Sequence, residues 1–468
     1  MFSLNAGAKT ASFCYAFPMN KNVKIIGGGL AGCECALQLA KRGIAVTLVE
    51  MRPQKETPVH KSSNLAELVC SNSLKSTNPC SAAGMLKEEL NRLSSFLYAV
   101  ALETQVAAGG ALAVNRDAFA QTITQLVSEN SFITLERREA SSLALEAKGF
   151  DALIVATGPL TSNALAQSLQ EATGLSHLAF YDAAAPIVMA DSLDMNVLFR
   201  QSRYEEGQGD YLNTPFSKEE YEHFIDELLG AQRVIKKEFE TKDLFQACQP
   251  VEEIARTGKD APRFGALKPV GLTDPRTQRR PWAAVQLRAE DAQGSCYNLV
   301  GFQTNLTFPE QQRVFRMIPG LEQAEFARYG VMHRNTFVDA PKVLDSHLLL
   351  ANSVQKFGTP VYLAGQVSGT EGYVEAIRSG LHVALSVTAY LRGVAIPSMP
   401  TSMVFGALLH YATNPETVDY QPSHVNFGMI EPLDTPVRNK KERYAAYAAR
   451  GNSALEHYCN KLSLLGLL

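Results

Sequence analysis

The 468-residue chain carries little net charge, since 44 basic and 47 acidic residues give a formal charge of −3. A protein that attracts nucleic acid through its overall field has a basic excess, so a nucleic-acid partner of this chain would have to be bound by local patches. The sequence also lacks an apolar run near the roughly 20 residues that cross a bilayer. We therefore expect a soluble protein without a membrane partner.

Paired cysteines are missing as well. The eight cysteines are scattered without a CxxC pair or a Cys/His ladder, which disfavours a zinc site and a secreted disulfide framework. This pattern predicts a cytoplasmic protein without a bound metal. The first 18 residues contain a single charge, Lys9, and lack the long apolar core of a signal peptide. We interpret residues 1–18 as a disordered N-terminal extension, with Met19 as a second candidate start.

A dinucleotide-binding fingerprint follows this segment. An apolar strand leads into a GxGxxG loop, a helix and a second strand that ends in an acidic residue. The glycines permit a tight turn and close approach to a pyrophosphate, the helix N-terminus attracts the anion, and the acid accepts hydrogen bonds from ribose hydroxyls. A glycine-rich turn without a ligand is the alternative, which the complete strand, helix and acid disfavour. The predicted cofactor contacts are Gly27, Gly28, Gly29, Leu30, Ala31, Gly32 and Glu50.

Two later strands end in short glycine motifs, Thr157-Gly158 and Gly365-Gln366. Two-dinucleotide FAD domains use segments of this kind to close the sheet over the flavin, so these four residues are further predicted cofactor contacts. A second GxGxxG is absent from the rest of the sequence. NAD(P)H is therefore expected to visit the flavin pocket without a Rossmann domain of its own, and FAD is the predicted resident cofactor.

The length and the apolar content of 46% predict two or three domains. Between Thr161 and about Tyr329, short alternating strands mix with helical runs, which indicates an inserted α+β domain. The predicted fold class is α/β. A Rossmann-like two-dinucleotide FAD-binding domain covers residues 19–165 and 330–468, and the inserted domain covers residues 166–329.

Two cysteines and a basic stretch are candidates for chemistry. Cys70 lies in "ELVCSNSLKS", where small hydroxyl and amide side chains can stabilise charge. Cys248 lies in "FQACQP", and the neighbouring residues alone favour a buried cysteine at a helix end. Arg279 and Arg280 belong to a loop-rich basic region for which contact with an anionic ligand and a solvated surface both remain open.

Several segments resemble the folate-dependent tRNA (uracil-5-)-methyltransferases, an FAD family called TrmFO or Gid. The similarity runs from about Asn22 to Met429, and the segments with the "LVCSNS" and "GALKPVG" motifs distinguish this family. Other segments, such as "IPGLEQAEF", are similar in the larger GidA flavoproteins too. The motifs that carry the resemblance are "GGGLAG", "ELVCSNSLKS", "RFGALKPVGLTDPRT", "VGFQTNLT" and "GQVSGTEGYVEA".

The resemblance implies formation of 5-methyluridine in the tRNA T-loop, with methylenetetrahydrofolate as carbon donor, FAD as carrier and NAD(P)H as reductant. It implies that Cys248 adds to C6 of uracil and that Cys70 is the base near C5, although the reversed assignment is open. His333, Arg334 and Tyr373 are candidates for the flavin-side substrate pocket, and a core histidine at 333 and a packing residue at 373 remain the open alternatives. The RNA phosphates would be contacted by Arg279 and Arg280.

Other functions remain as alternatives. The same chemistry on ribosomal RNA and a GidA-like modification of wobble uridine both fit the shared motifs. A flavin oxidoreductase for a small molecule would leave the cysteines and the basic loops without a common task. A non-catalytic RNA-binding module with FAD as structural filler would leave the two thiols unexplained.

Overall fold

A computed structural model provides the structure of the protein. It describes residues 21–57, 59–175, 179–183, 185–203, 209–234, 249–290, 293–330, 332–417 and 420–468. For residues 179–183 and 332–335 it describes the strands alone. Within these ranges, every helix is too short or too polar to cross a membrane.

The strands, numbered in chain order, form four sheets. Their bounds are β1 Asn22–Ile26, β2 Ala45–Glu50, β3 Ser73–Ser76, β4 Gln105–Val106, β5 Ala111–Val114, β6 Ile133–Arg137, β7 Ala152–Val155, β8 Ala179–Ala183, β9 Ile187–Met189, β10 Phe199–Arg200, β11 Leu212–Phe216, β12 Ala283–Ala289, β13 Cys296–Leu299, β14 Phe326–Arg328, β15 Met332–Thr336 and β16 Val361–Leu363.

The α-helices are numbered in the same way. Their bounds are α1 Leu30–Lys41, α2 Ala82–Arg92, α3 Phe96–Glu103, α4 Arg116–Ser128, α5 Leu143–Ala147, α6 Asn163–Thr173, α7 Lys218–Gly230, α8 Val251–Thr257, α9 Phe308–Phe315, α10 Ala340–Val343, α11 Ser353–Phe357, α12 Tyr373–Arg392, α13 Val404–Thr413 and α14 Lys440–Leu464. Short 3₁₀ turns lie at Gly158–Leu160, Ala261–Phe264 and Gly365–Ser368.

The cofactor motifs belong to a five-stranded parallel sheet in the order β16-β7-β1-β2-β6. Its central strands are apolar and buried on both faces, as a parallel sheet covered by helices requires. The strands β1, β7 and β16 are neighbours, so their carboxyl ends meet at one edge of the sheet. This pairing brings the glycine loop, Thr157-Gly158 and Gly365-Gln366 to the same edge, although more than 200 residues separate β7 from β16.

A second sheet is antiparallel, in the order β10-β11-β12-β13-β9-β14. Its apolar side chains form a core drawn from residues 188 to 324, whereas the core around the parallel sheet is drawn from residues 23 to 172 and 338 to 467. The predicted α/β class is thus confirmed. The predicted domain boundaries stay predictions, and the two separate cores are the physical reason for proposing them.

Helix α12, of 20 residues, belongs to the core around the parallel sheet. Residues Val374 to Ala389 are buried, and the helix lies across α1. The charged side chain of Arg378 is fully buried here, and its Nε donates to Oε2 of Glu89 on α2 at 3.1 Å. Since an unpaired buried charge is costly, this pair fixes how α12 and α2 pack. The N-terminus of α12 is thereby held at Gly372 and Tyr373, beside the edge where the cofactor motifs meet.

Candidate active site

Two positions of the glycine loop differ in the space beside their Cα atoms. A Cβ added to Gly32 would lie 1.9 Å from the carbonyl oxygen of Gly27, so the close approach of α1 to the loop excludes any side chain there. A Cβ added to Gly29 would meet no protein atom within 4 Å. Gly32 is therefore needed by the chain itself, whereas the space beside Gly29 is available for a ligand.

Glu50 lies at the carboxyl end of β2 with a buried carboxylate. Its Oε2 accepts the N–H of Gly28 at 2.8 Å, and its Oε1 accepts the backbone N–H and Nε of Arg52, each at 3.0 Å. Each carboxylate oxygen offers about two acceptor sites, so capacity remains for a ribose hydroxyl. The acid therefore also shapes the glycine loop, a task that the fingerprint alone did not reveal.

Two cavities meet at this loop. The smaller, of about 70 Å³, is lined by Gly27, Glu50 and Arg52, and the larger, of about 330 Å³, by Leu30, Ala31 and Cys70 among others. Gly29 and Thr157 line both. The larger volume is in the range of small-molecule and cofactor sites. A dinucleotide can thus extend from the acid, past the bare Cα of Gly29, into the larger cavity, and the residues present fit FAD.

The larger cavity gathers most of the predicted contacts that lie beyond the fingerprint. Gly158, Gly365, Gln366 and Tyr373 all line it. They come from two distant parts of the chain and meet because β7 and β16 end beside β1 and because α12 begins soon after β16. The predicted cofactor residues outside the glycine loop thus meet at one place, whereas Gly28 and Gly32 of the loop line neither of the two cavities.

Cys70 lies on the wall of this cavity against Tyr373. The phenol oxygen is 2.9 Å from Sγ of Cys70, and it accepts the backbone N–H groups of Cys70 at 2.8 Å and Ser71 at 3.2 Å. A phenol has two lone pairs and one proton. Because the two N–H groups occupy the lone pairs, the phenol proton is directed at sulfur. Burial and the neighbouring Cys70 raise the pKa of Tyr373 well above its ordinary value, so the phenol keeps this proton at neutral pH.

Two partly buried arginines hold the backbone just before Cys70. Arg116 Nη1 donates to the carbonyl oxygen of Leu68 at 3.0 Å, and Arg328 Nη2 donates to that of Val69. Burial lowers the pKa of Arg328, and the pKa of Arg116 is raised because an ion pair with Glu290 outweighs the effect of its burial. Arginine stays protonated in proteins, so the segment with the thiol lies in a cationic environment.

The polar residues after Cys70 fix the segment rather than face the sulfur. Arg288 donates from Nη2 to Oγ of Ser71 at 2.5 Å and from Nε to Oδ1 of Asn72 at 2.7 Å. The Asn72 amide then donates to the carbonyl oxygens of Val114 and Ala289 at 3.2 and 2.9 Å. Strand β12 of the antiparallel sheet, which carries Arg288, is therefore tied directly to the segment with the thiol.

A charged cluster lies at another wall of the cavity. Lys75 and His424 line it, and Lys75 Nζ lies 3.2 Å from Oε1 of the fully buried Glu375. The same oxygen accepts the N–H of Val425 at 3.2 Å. Burial, with a smaller contribution from Lys75, lowers the pKa of His424, so its imidazole is neutral at pH 7. The cavity thus combines one cation with a neutral imidazole that can accept or donate a proton.

The other predicted residues are placed as follows. Cys248 lies outside the described residues. His333 and Arg334 belong to β15, which pairs with β8, and their side chains lie outside the described part. Arg279 and Arg280 are exposed on the loop before β12 and do not line the large cavity.

Several residues of the site were not predicted from the sequence. Arg288 could have been recognised in the sequence, because an arginine inside the apolar strand "WAAVQLRAE" indicates a buried partner. The sequence contains no comparable indication for Arg116 and Arg328, since single arginines in polar surroundings look like surface charges. Cys33 and Cys35 are buried in α1. Burial raises the pKa of each thiol, so neither is suited to react as a thiolate at neutral pH.

Comparisons with known proteins agree with this architecture. The profile of the family described as "Glucose inhibited division protein A" matches residues 22–395. A protein of Geobacter sulfurreducens named methylenetetrahydrofolate–tRNA-(uracil-5-)-methyltransferase TrmFO is 50% identical over 441 residues, which are 94% of this chain and 99% of that protein. A protein of the same name from Anoxybacillus flavithermus is 47% identical over 94% of this chain and its own full length.

The solved structures point to the same fold. A crystal structure of Aquifex aeolicus GidA superposes on this chain with a TM-score of 0.69 and 14% sequence identity, covering 97% of this chain and 75% of the GidA chain. At this identity the likeness concerns the fold alone. It supports the Rossmann-like cofactor domain with an inserted domain that the sequence predicted.

Proposed function

Because this chain belongs to the folate-dependent tRNA (uracil-5-)-methyltransferase family TrmFO, within the wider GidA family, we propose that it forms 5-methyluridine in the T-loop of tRNA. Methylenetetrahydrofolate supplies the carbon, and NAD(P)H supplies the electrons. The observation that carries the proposal is that Cys70, with the phenol of Tyr373 on its sulfur, lines the same cavity as the glycine loop. Methylation of uracil carbon 5 requires a thiol at the flavin site, whereas a simple oxidoreductase does not require one.

In this proposal the fingerprint holds FAD. The loop from Gly27 to Gly32 takes the pyrophosphate at the N-terminus of α1, and the carboxylate of Glu50 takes a ribose hydroxyl. The large cavity, walled by Gly158, Gly365 and Gln366, takes the reactive end of the cofactor. FAD, when bound there, supplies the two-electron chemistry that converts the transferred carbon to a methyl group.

The thiols are needed because carbon 5 of uracil is a poor nucleophile. When a thiolate adds to C6, the electron pair of the C5–C6 double bond becomes available at C5, which can then form a bond to the one-carbon unit. A base next removes the C5 proton as the bond between the one-carbon unit and its nitrogen carrier breaks, a hydride equivalent that originates from NAD(P)H completes the methyl group, and the S–C6 bond breaks to restore the double bond. We assign the addition to Cys248 and the proton removal to Cys70.

The anchoring of the chain next to Cys248 supports this assignment. Val251 donates its N–H to the carbonyl oxygen of Gln303 at 2.8 Å, and Gln303 lines the large cavity. The chain is therefore anchored beside the cavity that Cys70 lines at Val251, which follows Cys248 by three positions in the sequence.

For Cys70 the surroundings favour a base that changes charge during turnover. The phenol proton of Tyr373 stabilises a thiolate, and the arginine contacts to the two preceding carbonyls keep the segment fixed when the charge changes. A thiolate that has taken the C5 proton becomes a neutral thiol, which the same phenol oxygen can still approach. The tetrahydrofolate product and the methylated RNA then leave.

The test is transfer of label from methylenetetrahydrofolate to RNA by the purified protein with FAD and NAD(P)H. We expect labelled 5-methyluridine in a tRNA transcript, and loss of the product when the T-loop uridine is replaced by cytidine. Cys70→Ala should hold FAD and form no product. Label in ribosomal RNA but not in tRNA would show that ribosomal RNA is the substrate. FAD binding without label in either RNA would refute the proposed methylation.

A further inference from the structure

Phe264 is an aromatic side chain held out in water by a well-defined turn. It is 83% exposed at the end of the 3₁₀ turn Ala261–Phe264. The N–H groups of Gly265 and Leu267 both donate to the carbonyl oxygen of Pro262, at 3.0 and 2.9 Å. Leu267 is buried, and its carbonyl accepts the N–H of Ala284 on β12 at 3.1 Å. The turn is therefore fixed to the sheet, and the exposure of Phe264 is built into the fold.

The surroundings of Phe264 are basic and aromatic. The guanidinium of Arg263 lies 3.7 Å from the ring centroid of Trp282, and Nζ of Lys218 lies 5.6 Å from it. Arg279 and Arg280 are exposed just before Trp282. We call the following set the basic aromatic patch: Lys218, Arg263, Phe264, Arg279, Arg280 and Trp282.

The patch keeps uncompensated positive charge. Arg263 pairs with Asp260 at 3.0 Å, and Lys218 pairs more loosely with Glu222 at 3.6 Å. Arg279 and Arg280 form no ion pair with any residue in the part of the chain that the structure describes. In a chain of net charge −3, this concentration of cations beside an exposed ring is a local feature, and it matches an anionic partner with flat aromatic groups.

We propose that the basic aromatic patch is an RNA-docking surface on which Phe264 stacks against a base of the RNA substrate. This inference rests on the proposed function, because it concerns the same RNA. Arginine charges position the phosphates, and an aromatic ring stacks on any base without reading its sequence.

Strand β12 sets the distance between the patch and the thiol. Trp282 precedes its first residue, and Arg288 near its other end binds Ser71 and Asn72, next to Cys70. Six residues of strand at about 3.3 Å each separate these ends by roughly 20 Å. A nucleic-acid strand rises by roughly 3.4 Å per nucleotide in duplex DNA, so an RNA whose reactive uridine lies at Cys70 can contact the patch with nucleotides several positions away.

The alternative role of the patch is contact between two copies of the protein. The positive charges of the patch oppose such a contact. Two copies that met through this surface would bring Arg279 and Arg280 of each copy together, and like charges disfavour such a contact. A nucleic-acid backbone, in contrast, compensates these cations while a base covers the ring.

The test compares Phe264→Ala and Phe264→Tyr with Leu145→Ala, in which an aliphatic side chain that is 69% exposed on α5 serves as the matched control. The Kd for a tRNA transcript is measured by filter binding across salt concentrations. We expect Phe264→Ala to bind at least about five-fold more weakly, and Phe264→Tyr and Leu145→Ala to bind like the wild type. The salt dependence of Phe264→Ala should match that of the wild type, because no charge is lost. Arg279→Glu combined with Arg280→Glu should instead reduce the salt dependence.

The only tryptophan of the chain provides a direct signal, since Trp282 belongs to the patch. RNA should change its fluorescence in the wild type with the same Kd that filter binding gives. Equal RNA affinity of Phe264→Ala and wild type would overturn the proposal, as would a change of oligomeric state in Phe264→Ala with RNA affinity unchanged. Flavin content and 5-methyluridine formation at saturating tRNA are followed in parallel. Wild-type protein that binds tRNA through the patch without methylating it would refute the proposed function alone.

Discussion

The phenol oxygen of Tyr373 and the sulfur of Cys70 lie 2.9 Å apart, although 303 positions separate the two residues in the sequence. The contact joins the N-terminus of α12 to the segment that follows the glycine-loop unit. Because the same oxygen accepts two backbone N–H groups, its proton has one direction left, toward sulfur. A single side chain thus both holds the backbone at the thiol and contacts its sulfur.

Tyr373→Phe should make Cys70 less reactive. The substitution removes the hydrogen bond to sulfur, and one such bond contributes on the order of 1 kcal/mol, which is about five-fold in the thiolate population. We expect the alkylation of Cys70 by iodoacetamide, followed by peptide mass spectrometry, to slow by about this factor at fixed pH, because the thiolate is the reacting form. Cys80, partly exposed on a neighbouring turn, is the internal control and should react at the wild-type rate. An unchanged rate at Cys70 would mean that the phenol does not stabilise the thiolate.

Two substitutions in the glycine loop should separate cofactor binding from folding. Gly29→Ala adds a methyl group where no protein atom lies within 4 Å, so the fold is expected to persist while FAD is lost. Gly32→Ala places the methyl 1.9 Å from a carbonyl oxygen, so the protein itself should be destabilised. Flavin absorbance per mole and the melting temperature distinguish the two outcomes. Gly230→Ala, also without a protein atom within 4 Å of the added group, should change neither. Retention of FAD by Gly29→Ala would place the pyrophosphate elsewhere.

The cofactor half of the site was predictable because its chemistry is local in sequence. The glycine loop, α1 and Glu50 follow one another within 30 residues, and each has a spacing set by the turn and the ligand. The same argument explains why the flanking motifs at Thr157 and Gly365 were found, since each ends a buried strand of the parallel sheet.

The setting of the thiol was not predictable in the same way. Arg288 and Arg328 come from β12 and β14, and only the packing of the antiparallel sheet against the cofactor part brings them to the segment with Cys70, which Arg116 of α4 also contacts. Apart from the position of Arg288 within an apolar strand, nothing in a single sequence distinguishes these arginines from arginines on the surface. The exposure of Phe264 could not be predicted from the sequence for the same reason, because it depends on a turn held by Leu267 and Ala284.

Glu252 should make the stability of the inserted part depend on pH. Its fully buried carboxyl accepts the N–H of Asn305 at 2.6 Å, and burial raises its pKa to about 7 despite that bond. Between pH of about 4.3, where glutamate titrates in unfolded chains, and 7, the folded protein keeps a proton that the unfolded chain has lost. Stability therefore falls as pH rises through this window, by up to about 4 kcal/mol.

Glu252→Gln should remove this contribution, because an amide does not titrate. We expect calorimetry from pH 5 to pH 8 to show that the melting temperature of the wild type falls relative to that of the variant. Glu103→Gln, at an exposed position on α3, should follow the wild type throughout. A constant difference between Glu252→Gln and wild type over this range would show that Glu252 is ionised in the folded protein already at pH 5.

The roles of the two thiols can be separated with a tRNA that carries 5-fluorouridine. Fluorine at C5 cannot leave as a proton does, so the RNA stays bonded to the thiol that added to C6, and the adduct survives denaturation. We expect this adduct in the wild type and its loss in Cys248→Ala. Cys70→Ala should keep it, since a base acts only after the carbon has been transferred. Mass mapping of the crosslinked peptide identifies the residue: attachment at Cys70 would reverse the two roles, and an adduct at neither cysteine would contradict covalent addition to C6.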